Sequence, residues 1–295
     1  MRIAVLSGKG GTGKTLVSVN LASAAEPATY IDCDVEEPNG HLFFKPEAVR
    51  VEEVPVKIPT PDYALCTGCR TCVDFCKFNA LAFINEKPIV FEEICHSCGG
   101  CILLCPEKAL TEREKVIGQV QKGTSDQVTV CTGILNTGEA SGIPIIKKLL
   151  DENNPGSNKP TFIDCPPGSA CIVMESIKDA DYCILVAEPT LFGVHNLNMV
   201  YELVKLFHKA FGVILNKCPA GNGNNPAETF CLEKNIEILG RIPFDNALGL
   251  LHSNAEIAVR KDKKYRALFS SLLEAVRKEV QHEATSDSQR ERRDR

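Results

Sequence analysis

The chain lacks three features, and each absence argues against a class of protein. No apolar run approaches the ~18 residues that a membrane span needs. A net charge of −5 over 295 residues leaves no basic excess for non-specific binding to nucleic acid. No signal-peptide pattern precedes the first strand-like run, which begins at residue 2. We therefore expect a cytoplasmic protein with neither nucleic-acid nor membrane contact.

Cysteine, in contrast, is abundant: there are fifteen, and eight of them form two runs of one spacing, C-x2-C-x2-C-x3-C. This is the bacterial spacing for two [4Fe–4S] clusters, in which the fourth cysteine of each run binds the cluster of the other run. One predicted ligand set is Cys66, Cys69, Cys72 and Cys105. The other predicted set is Cys95, Cys98, Cys101 and Cys76.

The two runs also agree outside their cysteines. The segment from Cys76 to Leu81 matches the segment from Cys105 to Leu110 at a constant offset. Such self-similarity predicts a pseudo-twofold unit with a small shared core. Two alternatives are zinc, which usually takes two separated cysteine pairs, and a disulfide framework, which needs an oxidising compartment. The doubled four-cysteine spacing favours clusters, and Lys77, in a position where proline is usual, removes no ligand.

A phosphate-binding loop follows the first strand-like run. Its sequence is Gly8-Lys-Gly-Gly-Thr-Gly-Lys-Thr15, and a helix-like segment continues to Ala25. The glycines allow backbone N–H groups to turn inward toward an anion at the helix N-terminus. Lys14 is then expected to reach the β- and γ-phosphates, and the Thr15 hydroxyl to bind Mg²⁺. The alternative, a glycine-rich connection without a ligand, is disfavoured by the terminal Gly-Lys-Thr. The predicted loop ligands are Gly8, Lys9, Gly10, Gly11, Thr12, Gly13, Lys14 and Thr15.

Lys9 is an additional cation in this loop, and with it the sequence resembles the MinD/ParA family of P-loop ATPases, which includes Mrp and the nitrogenase iron protein. The resemblance implies an ATP-dependent dimer in which Lys9 contacts the nucleotide of the partner subunit. It extends to about residue 280 and includes the segments 133–142 and 188–195. The subgroup it suggests carries an inserted ferredoxin domain.

Three aspartates lie at the ends of strand-like runs. Asp32 and Asp34 are two residues apart and point to one side of a strand, and Asp164 ends another strand, where open α/β sheets bind ligands. The resemblance implies that Asp34 positions or activates the attacking water and that Asp32 supports the magnesium and the loop. Asp164 is the candidate for holding a magnesium-bound water. For Asp32 and Asp34 taken alone, a pair of solvated acids is the alternative.

The resemblance also implies a site for the base. Asn216 and Lys217 match the family pair that contacts the base, and Pro243 and Phe244 match the segment on its other side. A guanine-binding protein would carry aspartate two residues after the lysine, but position 219 is proline. ATP is therefore expected rather than GTP. The predicted catalytic residues are Lys14, Asp34 and Lys9.

Strand-like and helix-like segments alternate along the rest of the chain, which predicts an α/β fold with a mainly parallel sheet flanked by helices. The expected ATPase domain comprises residues 1–59 and 112–282. A ferredoxin-like α+β domain at 60–111 interrupts it, and residues 283–295 are expected to be a disordered tail. The helix-like segment near 263–281 is expected to dock on the sheet rather than on a membrane.

The seven other cysteines lie mostly in apolar strands and are expected to be small buried hydrophobes. The possibility that some of these cysteines bind a further cluster shared between two subunits, as in the nitrogenase iron protein, is left open. The expected cofactors are ATP, Mg²⁺ and two [4Fe–4S] clusters, and the expected dimer partner is a second copy or a related ATPase. Three functions remain: a switch that passes electrons to a redox partner, a cluster carrier that supplies an apo-protein, and a redox-sensing positioning or regulatory ATPase.

Overall fold

The computed structural model describes residues 1–153, 159–221 and 225–293, with side chains described as far as residue 282. Within this part the strands are β1 (Arg2–Leu6), β2 (Ala28–Asp32), β3 (Glu47–Pro61), β4 (Leu81–Ile84), β5 (Lys87–Val90), β6 (Leu110–Ser125), β7 (Val128–Leu135), β8 (Thr161–Asp164), β9 (Tyr182–Ala187), β10 (Phe211–Cys218) and β11 (Ile238–Pro243). The helices are α1 (Lys14–Ala24), α2 (Gly40–Phe44), α3 (Thr71–Phe75), α4 (Gly100–Leu103), α5 (Ile143–Glu152), α6 (Cys171–Ile177), α7 (Leu191–Leu206), α8 (Pro226–Glu233), α9 (Asn246–Ser253), α10 (Ala258–Lys261) and α11 (Lys263–Arg293), with a 3₁₀ turn at Glu92–Ile94.

The described strands form one large sheet and one hairpin. The order in the large sheet is β11-β10-β9-β1-β8-β2-β7-β6-β3. All neighbours from β11 to β7 are parallel, whereas β6 runs antiparallel to both β7 and β3. The predicted mainly parallel α/β fold is thus confirmed.

Two hydrophobic clusters cover the two faces of this sheet, because successive residues of a strand point to opposite sides. In β1, Ile3 and Val5 belong to the cluster that includes residues of α1 and α11, and Ala4 and Leu6 belong to the cluster that includes residues of α5 to α8. Five of the seven cysteines outside the repeat are fully buried, as expected: Cys33, Cys131, Cys165, Cys183 and Cys231.

Helix α11 lies against the sheet, as expected from its apolar face. Tyr265, Phe269 and Val276 are buried in the same cluster as Ile3 and Val5. No helix within the described part of the chain combines the length and the apolar content that crossing a bilayer requires. The expected disordered tail at 283–295 overlaps α11, whose backbone is helical as far as Arg293, and residues 294–295 lie outside the described part.

In the sequence, a long antiparallel ribbon lies between β2 and β7, which are neighbours in the sheet. It is formed by β3 and β6, which pair from Glu47 opposite Thr124 to Pro61 opposite Leu110. Because β6 pairs with β7 only from Gly118 to Ser125, the remainder of the ribbon extends beyond the carboxyl end of β7. The cysteine runs therefore lie on the side of the sheet where the parallel strands end.

Residues 62–109, the cysteine-rich unit, follow the far end of the ribbon and contain α3, α4 and the hairpin β4–β5. Their small core, to which Leu110 of β6 contributes, includes two pairs of residues at the offset of the repeat: Cys72 with Cys101, and Leu81 with Leu110. Thr60 and Thr111, at the predicted domain boundaries, are paired in the ribbon. The assignment of 60–111 as a ferredoxin-like domain stays a prediction.

Truncating Phe269 is expected to destabilise the protein, because its fully buried ring fills the space between α11 and the sheet. Phe269→Ala should lower the free energy of unfolding by about 3–5 kcal/mol in a urea titration. The exposed Arg277 of the same helix is the control, and Arg277→Ala should change this free energy by no more than about 0.5 kcal/mol. Equal effects of the two substitutions would contradict the docking of α11.

Candidate functional site

The glycine-rich loop between β1 and α1 borders a cavity of about 440 Å³. The cavity is also bounded by the end of β10 and by the segments that follow β2 and β11, and thus lies at the carboxyl edge of the sheet. It brings together the following predicted residues: Lys9, Gly10, Gly11, Gly13, Lys14, Thr15, Asp34, Asn216, Lys217, Pro243 and Phe244. Four predicted residues do not line the cavity: Gly8, Thr12, Asp32 and Asp164.

The loop glycines serve different purposes. Gly11 and Gly13 have φ angles of 77° and 97°, in the left-handed region that glycine tolerates best. Gly8 is needed for packing, since a Cβ there would lie 2.1 Å from the backbone oxygen of Asn196 in α7. A Cβ on Gly10 would meet no atom within 4 Å. The loop conformation thus depends on Gly11 and Gly13, and its position on Gly8.

The end of β10 holds the loop through two side-chain hydrogen bonds. The Asn216 side chain donates a hydrogen bond from Nδ2 to the oxygen of Thr12 at 2.8 Å, and Lys217 donates from Nζ to the oxygen of Gly11 at 2.8 Å. These two bonds fix carbonyl groups of the loop. The Asn-Lys pair therefore holds the loop in place in addition to lining the cavity.

Lys14 takes part in a buried ion pair at the centre of the site. Its Nζ lies 2.7 Å from Oδ1 of Asp164 and 3.8 Å from Oδ2 of Asp34. The Tyr30 hydroxyl donates to the other oxygen of Asp164 at 2.9 Å. Burial by itself would lower the pKa of Lys14, but the charge and hydrogen bond of Asp164 outweigh it, so the pKa is raised. Lys14 is therefore a fixed positive charge beside the cavity.

Asp32 organises the chain that follows β2. It lies opposite Asp164 in the register of β2 and β8 and accepts backbone hydrogen bonds from Asp34, Asn39 and Gly40 at 3.2, 3.1 and 2.8 Å. Burial, together with the charge of Asp164, raises the pKa of Asp32 to about 7. Asp34 is less buried and lines the cavity, and burial raises its pKa to about 6. Of the three predicted aspartates, Asp34 is thus the one that lines the cavity.

Sequence reasoning assigned no role to two features of the site. Glu188 accepts an ion pair from Lys217 at 2.6 Å and another from Lys9 at 3.2 Å, so it holds two of the predicted nucleotide ligands. Helix α9 contributes further lining residues, among them Leu248 and His252. The sequence feature that could have predicted α9 is Asp245, because its carboxylate caps the helix by accepting the N–H of Ala247 at 2.9 Å.

The eight cysteines of the two runs line two further cavities in the cysteine-rich unit. The first cavity is lined by Cys66, Cys69, Cys72 and Cys105. The second cavity is lined by Cys76, Cys95, Cys98 and Cys101. This division is the one that the spacing predicts. All fifteen cysteines lie in described residues and are free of disulfides. Within the described ranges, no three His, Cys, Asp or Glu side chains form a group that could hold a single metal ion.

The backbone around the two cysteine cavities fits a cluster in each. Left-handed φ angles occur at matching positions of the repeat, at Gly68 and Ser97 and again at Arg70 and Gly99. Left-handed residues of this kind build the backbone concavities that hold phosphates and Fe–S centres. Matching N–H groups also donate to sulfur: Ala80 to Cys76 and Ala109 to Cys105, each at 3.3 Å. Hydrogen bonds to cysteine sulfur stabilise the thiolate form that iron requires.

Comparisons with known proteins agree with this fold. The family described as CobQ/CobB/MinD/ParA nucleotide binding domain matches residues 3–257. An uncharacterized protein of Methanocaldococcus jannaschii is 28% identical, with 91% of this chain and 96% of that protein covered. An iron-sulfur cluster carrier protein of the same organism is 25% identical over 83% of this chain and 72% of its own length. The septum site-determining protein MinD of Pyrococcus horikoshii, complexed with Mg-ADP, has a TM-score of 0.57 at 20% identity, covering 93% of this chain and 95% of that one.

Alanine at Gly13 is expected to disrupt the loop. A Cβ there would meet Nδ2 of Asn216 at 2.1 Å, in a left-handed backbone that by itself costs a non-glycine residue about 1–2 kcal/mol. Gly13→Ala should therefore lower the free energy of unfolding of the ligand-free protein by at least that amount. Gly10→Ala, which places its Cβ in open space, should change it by no more than about 0.5 kcal/mol. Urea titrations of both variants test the difference, and a similar loss in both would contradict it.

Proposed function

The chain belongs to the CobQ/CobB/MinD/ParA family of nucleotide-binding domains and is a P-loop ATPase, and we propose that it is an ATP-dependent dimeric switch that carries two [4Fe–4S] clusters. The observation that carries the proposal is the presence, at one edge of one sheet, of a P-loop cavity and of two cavities with four cysteines each. The free cysteines suit a reducing compartment, and we propose a cytoplasmic location.

In this proposal the nucleotide site hydrolyses ATP. The loop N–H groups and Lys14 would hold the phosphates. Thr15, which lines the cavity, would hold Mg²⁺, and Asp164 and Asp32, which do not line it, would hold that ion through its water. Asp34 orients a water molecule, whose oxygen forms a bond to the γ-phosphorus as the bond to the β-phosphate oxygen breaks, giving ADP and phosphate. A carboxylate with a pKa of about 6 is well matched to accept a proton near neutral pH.

The adenine base is proposed to lie between the Asn216–Lys217 pair and the segment Pro243–Phe244. These residues line one cavity with the loop, which supports a single continuous nucleotide site. Pro219, in the position where a guanine-binding protein would carry aspartate, supports ATP as the ligand.

Lys9 supports the proposal of a nucleotide-dependent dimer. In the single chain it lies 3.2 Å from Oε2 of Glu188 and over the ring of Phe192, 4.8 Å from its centroid. The Phe192 and Leu191 side chains are exposed at this point, which suits contact with a second subunit. On dimerisation, Lys9 would leave Glu188 and contact the nucleotide bound by the partner, which is a second copy of the chain or a related ATPase.

The two clusters would supply one-electron transfer, and in the proposed switch the nucleotide state governs exchange with a redox partner protein. The second candidate is a cluster carrier, which the similarity to iron-sulfur cluster carrier proteins favours. Loss of both clusters to an excess of apo-protein acceptor would favour the carrier. Retention of the clusters with reversible reduction would favour the switch. Nucleotide-dependent recruitment of the protein to a larger complex, without transfer of clusters or of electrons, would favour the regulatory ATPase.

The role of Asp34 can be tested by removing its charge and keeping its size. Asp34→Asn should still bind ATP and Mg²⁺, but should hydrolyse ATP at least about 10²-fold more slowly, because the group that orients and deprotonates the water is lost. The matched control is Glu36→Gln, which neutralises an exposed neighbouring carboxylate outside the cavity. Steady-state phosphate release measures both variants. Full turnover in Asp34→Asn would overturn the assignment.

The cysteine assignment can be tested by iron content. Anaerobically purified protein is expected to hold about eight iron and eight acid-labile sulfide atoms per chain. Cys98→Ala should lose the cluster of the second cavity and retain about four of each. Cys171→Ser, which alters an exposed cysteine outside both cavities, should retain about eight. Unchanged iron in Cys98→Ala would refute its role as a ligand, and zinc in place of iron in the wild type would refute the clusters.

A further inference from the structure

Residues 133–142, which we name the bridge segment, contact the chain beside the proposed hydrolytic carboxylate. The N–H of Leu135 donates to the oxygen of Val35 at 2.8 Å, and Val35 directly follows Asp34. The bridge segment is also packed tightly around this side chain. A Cβ on Gly133 would lie 2.6 Å, and one on Gly142 2.3 Å, from a methyl group of Val35. A displacement of Asp34 and Val35 would therefore be transmitted to the bridge segment by direct contact.

The other end of the bridge segment is joined to the cysteine-rich unit through Lys115 of β6. Oε2 of Glu139 lies 2.9 Å from Nζ of Lys115, and both side chains are largely buried. The same Nζ donates to the backbone oxygen of Glu92 at 3.2 Å. That oxygen also accepts the N–H of Cys95 at 3.3 Å. Lys115 thus joins the bridge segment to the turn that positions Cys95, one of the four cysteines of the second cavity.

The two cysteine cavities differ in this contact. At the offset of the repeat, Lys115 corresponds to Glu86, an exposed acid in the turn between β4 and β5. Both cavities have a cation nearby, because Arg70 lines the first one, but only Lys115 of these two cations is joined to the bridge segment, through Glu139. A positive charge near a cluster favours the reduced form, which carries one more negative charge. A partly buried charge is screened less by salt than an exposed one.

We infer that the bridge segment couples the nucleotide site to the second cysteine cavity through the ion pair between Glu139 and Lys115. The inference rests on the proposed function, because it assigns Lys115 as a positioning residue for the cluster held by Cys76, Cys95, Cys98 and Cys101. Nucleotide binding moves the segment after β2, and this movement changes the position of Glu139. Lys115 then moves with Glu139, together with the carbonyl group of Glu92 to which Lys115 is hydrogen-bonded. The reduction potential of this cluster then depends on nucleotide, and that of the other cluster does not.

The test is a redox titration of the full-length, cluster-loaded protein with and without Mg-ADP, followed by spectroscopy that resolves the two clusters. In the wild type, nucleotide should change the reduction equilibrium constant of one cluster about five- to tenfold, which is about 40–60 mV for a one-electron couple. Glu139→Gln, which keeps Lys115 and its charge, should abolish most of this nucleotide dependence. Lys115→Met should abolish it as well and also make that cluster harder to reduce without nucleotide.

Lys57→Met is the matched control. Lys57 lies on the same ribbon as Lys115, but it pairs with Glu112 at 2.9 Å and is mostly exposed. Since Val56 is opposite Lys115 and Lys57 is opposite Glu114, the two lysines point to opposite faces of the ribbon. Lys57→Met should retain the full nucleotide dependence. If Glu139→Gln and Lys115→Met retain it too, or if the wild type shows none, the inferred coupling is wrong.

Iron analysis and amide hydrogen exchange separate failure of the inference from failure of the proposed function. About eight irons in each variant, with the nucleotide-dependent shift retained at its wild-type size, would overturn the coupling and leave the proposed clusters intact. Absence of iron from the wild type would instead overturn the proposed function and the inference together. Hydrogen exchange needs no cluster: Mg-ADP should alter the exchange of residues 133–142 in the wild type, and an unaltered pattern would count against the mechanical step.

Discussion

The buried ion pair between Lys14 and Asp164 is the interaction on which the site depends. It joins the first turn of α1 to the end of β8, and Tyr30 of β2 completes the hydrogen bonding of the carboxylate. A buried charge pair is tolerated only when its members are well hydrogen-bonded, and loss of one partner leaves the other uncompensated. The lysine is therefore held in its charged form at the carboxyl edge of the sheet. This contact joins the start of α1, and with it the P-loop, to β8 and β2.

Parallel pairing then gathers the rest of the site. Because the strands from β11 to β7 run in one direction, the residues that follow them emerge at one edge, where the loop, Asp34, Asn216 and Phe244 border one cavity. The ribbon extends from the same edge, since β6 leaves β7 beyond Leu135. The cysteine-rich unit is therefore on the nucleotide side of the molecule through backbone pairing.

Local patterns allowed much of this to be predicted from sequence. The loop Gly8–Thr15 and the two cysteine runs carry their chemistry within a few residues, and the pattern of buried strands fixed the alternating fold. The length of the ribbon was missed, because the prolines at 55, 59 and 61 argue against a regular strand, although Val54, Val56 and Ile58 alternate along one face of β3. The ion pairs of Glu188 with Lys9 and Lys217 were missed for another reason: they join residues distant in sequence, and only the packed sheet brings them together.

Pairing of β6 with β7 also determines how the two parts of the molecule can influence each other. A unit attached by a flexible linker would respond to nucleotide only by changing its average position. Here β6 is hydrogen-bonded to β7 from Gly118 to Ser125, and the N–H of Asn136, just beyond β7, donates to the oxygen of Ile117 at 2.9 Å. The ribbon is thus a continuation of the sheet, so a shift at the carboxyl ends of β2 and β7 is carried into it by backbone hydrogen bonds. Lys115 lies two residues beyond this last bond, where the displacement of the strand ends reaches the cysteine-rich unit.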